Sequence, residues 1–202
     1  MRTQFIRVFG ALALLVGAAG ISAQSADWKT AQYYANLTKQ AASGDAIAQN
    51  DLGAAYAAGD GGNWPKDEVR AFGWFSRAAE QGLALAQKNV ALAYLNGKGV
   101  LQDHRQAAAW FRKGAEQGNV EAQYNLGVLY YTGDGVPQEY AESYFWLDIA
   151  APGMLGSANQ KWVSNYRDAA AAKLTPEILL QAQERARKWF EDRPQSGKGR
   201  PD

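Results

Sequence analysis

Trp74, Trp110 and Trp146 stand 36 residues apart, and each lies in a near-copy of the same segment. A fixed period of this length requires one supersecondary unit stacked several times over. The copies run from Ala48 to Gly82, from Ala86 to Gly118 and from Ala122 to Met154. Ala86 and Ala122, Tyr94 and Tyr130, Gly97 and Gly133, Gly99 and Gly135, and Ala115 and Ala151 all keep the step. The first copy has two extra residues in its turn, so Tyr56 lies 38 before Tyr94.

Apolar and small residues within each copy recur at three- and four-residue steps, as one helix face requires. In the third copy these are Ala122, Leu126, Val128, Leu129 and Tyr130. Gly133-Asp134-Gly135 ends that stretch, and Gly97-Lys98-Gly99 ends its counterpart. Glycine adopts the left-handed conformation that closes a helix. A second helix is expected from near Gln138 through Trp146 to Ala151. Neither helix buries its apolar face alone, so stacked units do it jointly. A phosphate-cradling role for the Gly-x-Gly turns is disfavoured, because that fingerprint follows a strand and carries a longer glycine pattern.

The ends complete the stack. Asp27 to Ala42 reads as one helix covering the first unit, within a capping region of residues 24–44; the repeats then occupy 45–154. Residues 155–191 read as a degenerate fourth unit and a closing helix. Ala158, Trp162 and Tyr166 each follow Ala122, Leu126 and Tyr130 by 36. Thr175 caps the closing helix and Pro176 suits its first position. Residues 192–202 are rich in Ser, Gly, Lys, Arg and Pro and read as a disordered tail.

Residues 1–23 read as a secretory signal peptide. Arg2 and Arg7 precede an apolar run from Val8 to Ile21, and Ala23 offers a cleavage point. The run is short for a membrane span, so stable insertion after cleavage is not expected; an uncleaved N-terminal anchor is the alternative. Export places the protein in the periplasm of a Gram-negative host, or outside the cell otherwise. The whole chain carries 21 basic and 20 acidic residues, so loss of both arginines moves the formal charge from +1 to −1. That balance gives no pull on nucleic acid. With no cysteine, stability must come from packing alone.

At these residues the chain resembles the Sel-one-like repeat family, relatives of the tetratricopeptide repeats. The third copy carries Leu126, Gly127, Tyr130, Gly133, Gly135, Val136, Trp146 and Ala151 of that pattern. The second carries Tyr94, Gly97, Gly99, Val100, Ala107, Trp110, Phe111, Ala115 and Gly118, with Val90-Ala91 in place of Leu-Gly. The first keeps Leu52, Gly53, Tyr56, Ala71, Trp74, Phe75 and Gly82. The resemblance implies an all-α, right-handed α/α solenoid of three full units, one degenerate unit and an N-terminal capping helix. It also implies a non-enzymatic protein–protein interaction module that acts as scaffold or adaptor. Some exported members are immunity proteins that neutralise lipase-type toxic effectors, which is the alternative role.

Chemistry-bearing residues are sparse. His104 lies at a helix start with no aligned partner marked in the sequence, so it reads as a surface residue. One His among scattered carboxylates lacks the spacing of a zinc site, and no cofactor is expected. Asp148 matches Ser76 and Arg112 in register and reads as exposed. Ile149 replaces Arg77 and Lys113, which predicts that C-terminal helices cover it. An enzyme acting on cell-wall material is the remaining, disfavoured class.

Solenoids of this kind bind along the concave face, lined by each unit's first helix. Residues identical in all copies, such as Gln49, Gln87 and Gln123, hold the stack. Columns that vary are free to define a ligand. One column is Asn50, Lys88 and Tyr124; the next is Asp51, Asn89 and Asn125; a third is Ala57, Leu95 and Tyr131. Lys88, Asn89, Leu95, Tyr124, Asn125 and Tyr131 are therefore the candidate contacts with a protein or peptide partner of a monomeric chain. Leu95 and Tyr131 have packing on the next unit as their alternative. Trp64, in the enlarged first turn, either projects as a contact or folds back onto the N-terminal helix.

Overall fold

A computed structural model describes residues 19–59 and 64–193 of the protein. The apolar start of the chain (up to residue 18), the loop 60–63 and the tail from Pro194 lie outside those residues, and with them most of the signal segment. The described residues form α-helices: α1 (Ala19–Ala42), α2 (Ala46–Ala58), α3 (Glu68–Glu80), α4 (Ala84–Asn96), α5 (His104–Glu116), α6 (Val120–Thr132), α7 (Tyr140–Ala150), α8 (Gln160–Ala171) and α9 (Pro176–Glu191). A short 3-10 turn, Ala151–Met154, joins α7 to the next unit. The pairs α2–α3, α4–α5 and α6–α7 are antiparallel hairpins, and each packs on the next to make an all-α solenoid.

Helix starts follow from capping chemistry. Asp45, Asp67, Asp103 and Asn119 each accept a hydrogen bond from a backbone N–H two or three residues on. Thr175 does the same for α9, with Pro176 at the first helical position. The first helices of units two and three end on left-handed glycines, Gly97 (φ 65°) and Gly133 (φ 77°). α7 begins at Tyr140, later than the sequence suggested. The reason is that the Gln138 amide folds back to donate to the Tyr131 carbonyl at 2.8 Å, keeping Gln138 in the turn. Gln102 does the same to Leu95 at 2.7 Å.

The second glycine of each Gly-x-Gly turn serves the stacking. Gly99 (φ 71°) and Gly135 (φ 73°) lie against the first residues of α3 and α5 in the preceding unit. A Cβ on either would collide with the carbonyl oxygen of Glu68 or of His104. The turn is thus a point of backbone contact between units, which accounts for its recurrence at the repeat period.

A buried glutamine pins each junction. The amides of Gln49, Gln87 and Gln123 donate to the carbonyls of Ala41, Ala79 and Ala115, at the end of the preceding helix. Gln81 and Gln117 in turn donate to the Oε1 atoms of Gln49 and Gln87 at 2.7 Å. Gln49, Gln87 and Gln123 are buried and hydrogen-bonded, as an interior amide must be, while Gln81 and Gln117 reach in from exposed positions.

The fourth unit departs from the period. The sequence step aligns Trp162 with Leu126, yet Trp162 is 57% exposed while Leu126 is fully buried; Val163 takes the inward position. By the 36-residue step α8 should begin near residue 156, but Gly156 (φ 75°) and a bend delay it to Gln160, and Ala158 lies in that turn. Starting late turns the helix about its axis. The closing helix α9 then packs directly on α7. It covers Ile149, which is 3% exposed in one cluster with Ala186 and Trp189. Trp189 packs edge-on to Trp146 with centroids 5.6 Å apart. In the two preceding units a cation covers the tryptophan instead: Arg77 lies 4.5 Å over Trp74, and Lys113 lies 3.8 Å over Trp110. Asp192 and Arg193, assigned above to the tail, follow α9 directly, and Arg193 stacks 3.4 Å over Trp189.

Candidate peptide-binding face

The helices α2, α4 and α6 form one layer, and α3, α5 and α7 the layer behind them. The three varying columns fall on the first layer, in different degrees of burial. Asn50 is buried, not available as the column suggested; its Oδ1 accepts from Asn89 of the next unit at 2.8 Å. Lys88 is largely sheltered and reaches Glu121 of α6 at 3.0 Å. Asn125 donates one turn back to the Glu121 carbonyl at 2.7 Å. The Asn89–Asn50 and Lys88–Glu121 contacts tie neighbouring first helices together, the Asn125 bond stays within α6, and the Asn89 and Asn125 oxygens receive no donor among the described residues.

Tyr124 and Tyr131 are half-buried. Tyr124 packs with Val128, Tyr166 and the buried Leu147, Met154 and Val163. Burial, then the neighbouring Tyr166 phenol, raises its hydroxyl above the usual tyrosine value. Tyr131 meets Tyr140 and Tyr166 edge-on at 5.6 and 5.3 Å. Leu95 is half-buried against the central core. Trp64 folds back: its ring stacks on Tyr34 of α1 at 4.3 Å and leans on Tyr56 at 4.8 Å. The first contact ties the enlarged turn to the capping helix, and the second ties it to α2 of its own unit.

A recess of about 250 Å³ opens between α2 and α4. Its floor is Ala71, Phe72 and Phe75 of α3; its walls are Ala57 of α2 and Leu92 and Ala93 of α4; its rim carries Asn89, Asn96, Lys66, Glu68 and Lys98. Because α3 supplies the floor and the first helices the walls, the recess opens on the α2–α4–α6 layer. The column Ala57, Leu95, Tyr131 explains its place. The smallest residue of the column stands in the first unit, and the space its side chain leaves is the recess.

A larger groove, about 750 Å³, lies on the other side, between α5 and α9 over α7. Its aromatic floor is Phe145, Trp146 and Trp189. The guanidinium groups there are engaged within the chain. Arg185 pairs with Glu142 and lies 3.8 Å over Phe145. Arg193 donates to the Glu116 carbonyl at 3.0 Å, and Arg112 to the Tyr130 hydroxyl. Nothing in the period foretold this groove, since it arises from the way α9 folds back.

Asp148 is half-buried, not exposed as its register implied, and lies 3.6 Å from Arg167 of α8. Burial raises its carboxyl above the ordinary aspartate value, and Arg167 partly offsets that. His104 contacts Asp134 at 2.5 Å, joining the start of α5 to the turn of the next unit. Among the described residues no group of three or more His, Asp or Glu side chains could hold a metal ion. No described helix is long and apolar enough to cross a membrane.

Comparison with known proteins gives a consistent result. Residues 46–83, 84–119 and 120–151 each match the Sel1 repeat. One similar solved structure is c5321, a protective antigen present in uropathogenic Escherichia coli strains displaying an SLR fold. It is 36% identical with a TM-score of 0.69, over 85% of this chain and 37% of that one. Another is a Sel1 repeat protein from Oxalobacter formigenes, 36% identical with a TM-score of 0.55, over 58% of this chain and 88% of that one. The chain thus spans little more than a third of the first structure's length. None of the curated proteins matches.

Proposed function

Because this chain belongs to the Sel1 repeat family, we propose that it is a non-enzymatic module that captures an extended segment of a protein partner on the face lined by α2, α4 and α6. Proteins of this family generally mediate protein–protein interaction. The observation that carries the choice of face is the recess between α2 and α4, rimmed by amide and ammonium groups and continuous with the variable columns. Asn89 and Asn125 hydrogen-bond an extended backbone, and Tyr124 and Tyr131 supply wide, semi-rigid contact area. Lys88 and Leu95 complete the surface, whereas Trp64 holds the first turn to α1.

The protein works outside the cytoplasm, with residues 1–23 as its export signal, and binds as a monomer. Scaffolding and neutralising a lipase-type effector are two uses of the same face. Protection of cells from such an effector separates them.

The test is selection of a displayed library of random dodecapeptides on the purified protein. Selected peptides should bind the Tyr124→Ala, Tyr131→Ala double variant at least tenfold more weakly while its helical circular dichroism is retained. Unchanged affinity in the folded double variant overturns the choice of face. Detection of the protein only in the cytoplasmic fraction overturns the export reading.

A further inference from the structure

We infer that the recess between α2 and α4 takes one apolar side chain of a bound peptide, and that an acidic residue of the same peptide lies beside it on Lys98. This rests on the face proposed above and names the ligand class for it.

The volume comes first. About 250 Å³ is below the range of clefts that enclose small-molecule ligands and suits a single side chain. The lining is apolar where such a side chain would enter: Phe72 and Phe75 below, Ala57 and Leu92 beside. The repeat shows that the space is specific to the first junction. Leu95 occupies the matching position in unit two and Tyr131 in unit three; both are packed against neighbouring side chains.

The rim polarity sets what accompanies that side chain. Asn89 commits its amide to Asn50 at 2.8 Å, and Asn96 commits its own to the Leu92 carbonyl at 2.8 Å. Their carbonyl oxygens receive no donor among the described residues, so they present acceptors to peptide N–H groups.

Charge on the rim follows from a comparison of junctions. Glu68 and Lys98 stand 36 residues before His104 and Asp134. At the second junction His104 and Asp134 hold each other at 2.5 Å. At the first, Glu68 pairs with Lys66 at 3.4 Å, and Lys98 forms no ion pair among the described residues. The first junction thus keeps one ammonium unneutralised at the mouth of an apolar recess. A carboxylate on the peptide complements it, and a cation there would be repelled.

Library selection with three proteins tests the inference: wild type, Ala57→Leu and Lys98→Glu. Leucine at 57 is the residue the repeat itself uses at Leu95, so the variant fills the recess with a side chain the fold accommodates. Wild type should select Leu, Met or Phe next to Asp or Glu. By fluorescence anisotropy with the labelled selected peptide, Ala57→Leu should bind at least tenfold more weakly. Lys98→Glu should select Lys or Arg in place of the acid. A wild-type consensus without the apolar–acidic pair, or binding by Ala57→Leu within twofold of wild type, overturns the inference. If Ala57→Leu and Lys98→Glu change nothing while the double tyrosine variant weakens binding, the recess falls and the face stands. If all the variants bind alike, or no peptide is selected, both fall.

Discussion

The amide of Gln117 donates to the buried Oε1 of Gln87 at 2.7 Å, while Gln87 itself donates to the Ala79 carbonyl of the preceding unit. One side chain therefore joins the ends of three helices. In a solenoid, stability is close to a sum of unit and junction contributions, so this junction can be weakened alone. Gln87→Leu leaves the carbonyl of the buried Ala79 without its partner, while the exposed Gln117 turns its amide to solvent. Expected destabilisation is about 1–3 kcal/mol, the cost of an unpaired buried polar group. Urea denaturation checks it: the midpoint should fall. An unchanged midpoint would show that the glutamine is incidental.

Gly135 and Gly118 separate two costs of replacing glycine. Both have positive φ, 73° and 90°, but a Cβ meets the His104 backbone only at Gly135. The left-handed backbone alone costs about 1–3 kcal/mol for a non-glycine residue. Gly135→Ala should therefore destabilise more than Gly118→Ala, because it also forces the third unit away from α5. Equal losses in thermal denaturation would contradict the role of the turn as a contact between units.

Ile149 tests how α9 is held. Its counterparts Arg77 and Lys113 are solvent-facing cations, but here α9 lies over the position. Ile149→Lys restores the residue type of the repeat and puts a charge under Trp189. An uncompensated buried charge costs on the order of 3 kcal/mol, which opening of α9 would relieve. Amide exchange should accelerate across Pro176–Glu191 and stay slow in α4 and α5. Uniform exchange rates would show that α9 is not a separable cap.

Asp148 predicts a pH dependence with a definite sign. Burial raises its folded-state pKa above the ordinary 3.8, so the native state binds the proton more tightly than the unfolded chain does. Stability contributed by this group is greatest below that ordinary value and is lost as pH rises through the folded pKa. Asp148→Asn removes the titration. The variant should lose less stability than wild type between acid and neutral pH, seen as a flatter plot of urea midpoint against pH. Parallel plots would contradict the burial.

Much of this was legible in the chain because the period averages over three copies. The helix pairs, the glycine turns and the covered Ile149 follow from comparing columns, and the Thr175 cap follows from a threonine placed before Pro176. What the columns could not show arises where the period breaks. Trp162 kept the 36-residue step in sequence, but the late start of α8 rotated it outward and put Val163 in the core. Asn50 looked like a variable surface residue, yet its bond to Asn89 buries it between units. The recess depended on Ala57 being small beside Phe72 and Phe75, a matter of local volume that register alone does not reveal. The groove beneath α9 depended on how that helix folds back, for which the repeat holds no template.

The central claim is that a peptide lies along α2, α4 and α6. Hydrogen–deuterium exchange of the protein with and without a library-selected peptide measures it most directly. Slowed exchange should map to Ala46–Ala58, Ala84–Asn96 and Val120–Thr132, with α5 and α9 unchanged. Protection confined to the groove between α5 and α9, or absent from α4 and α6, would contradict the account.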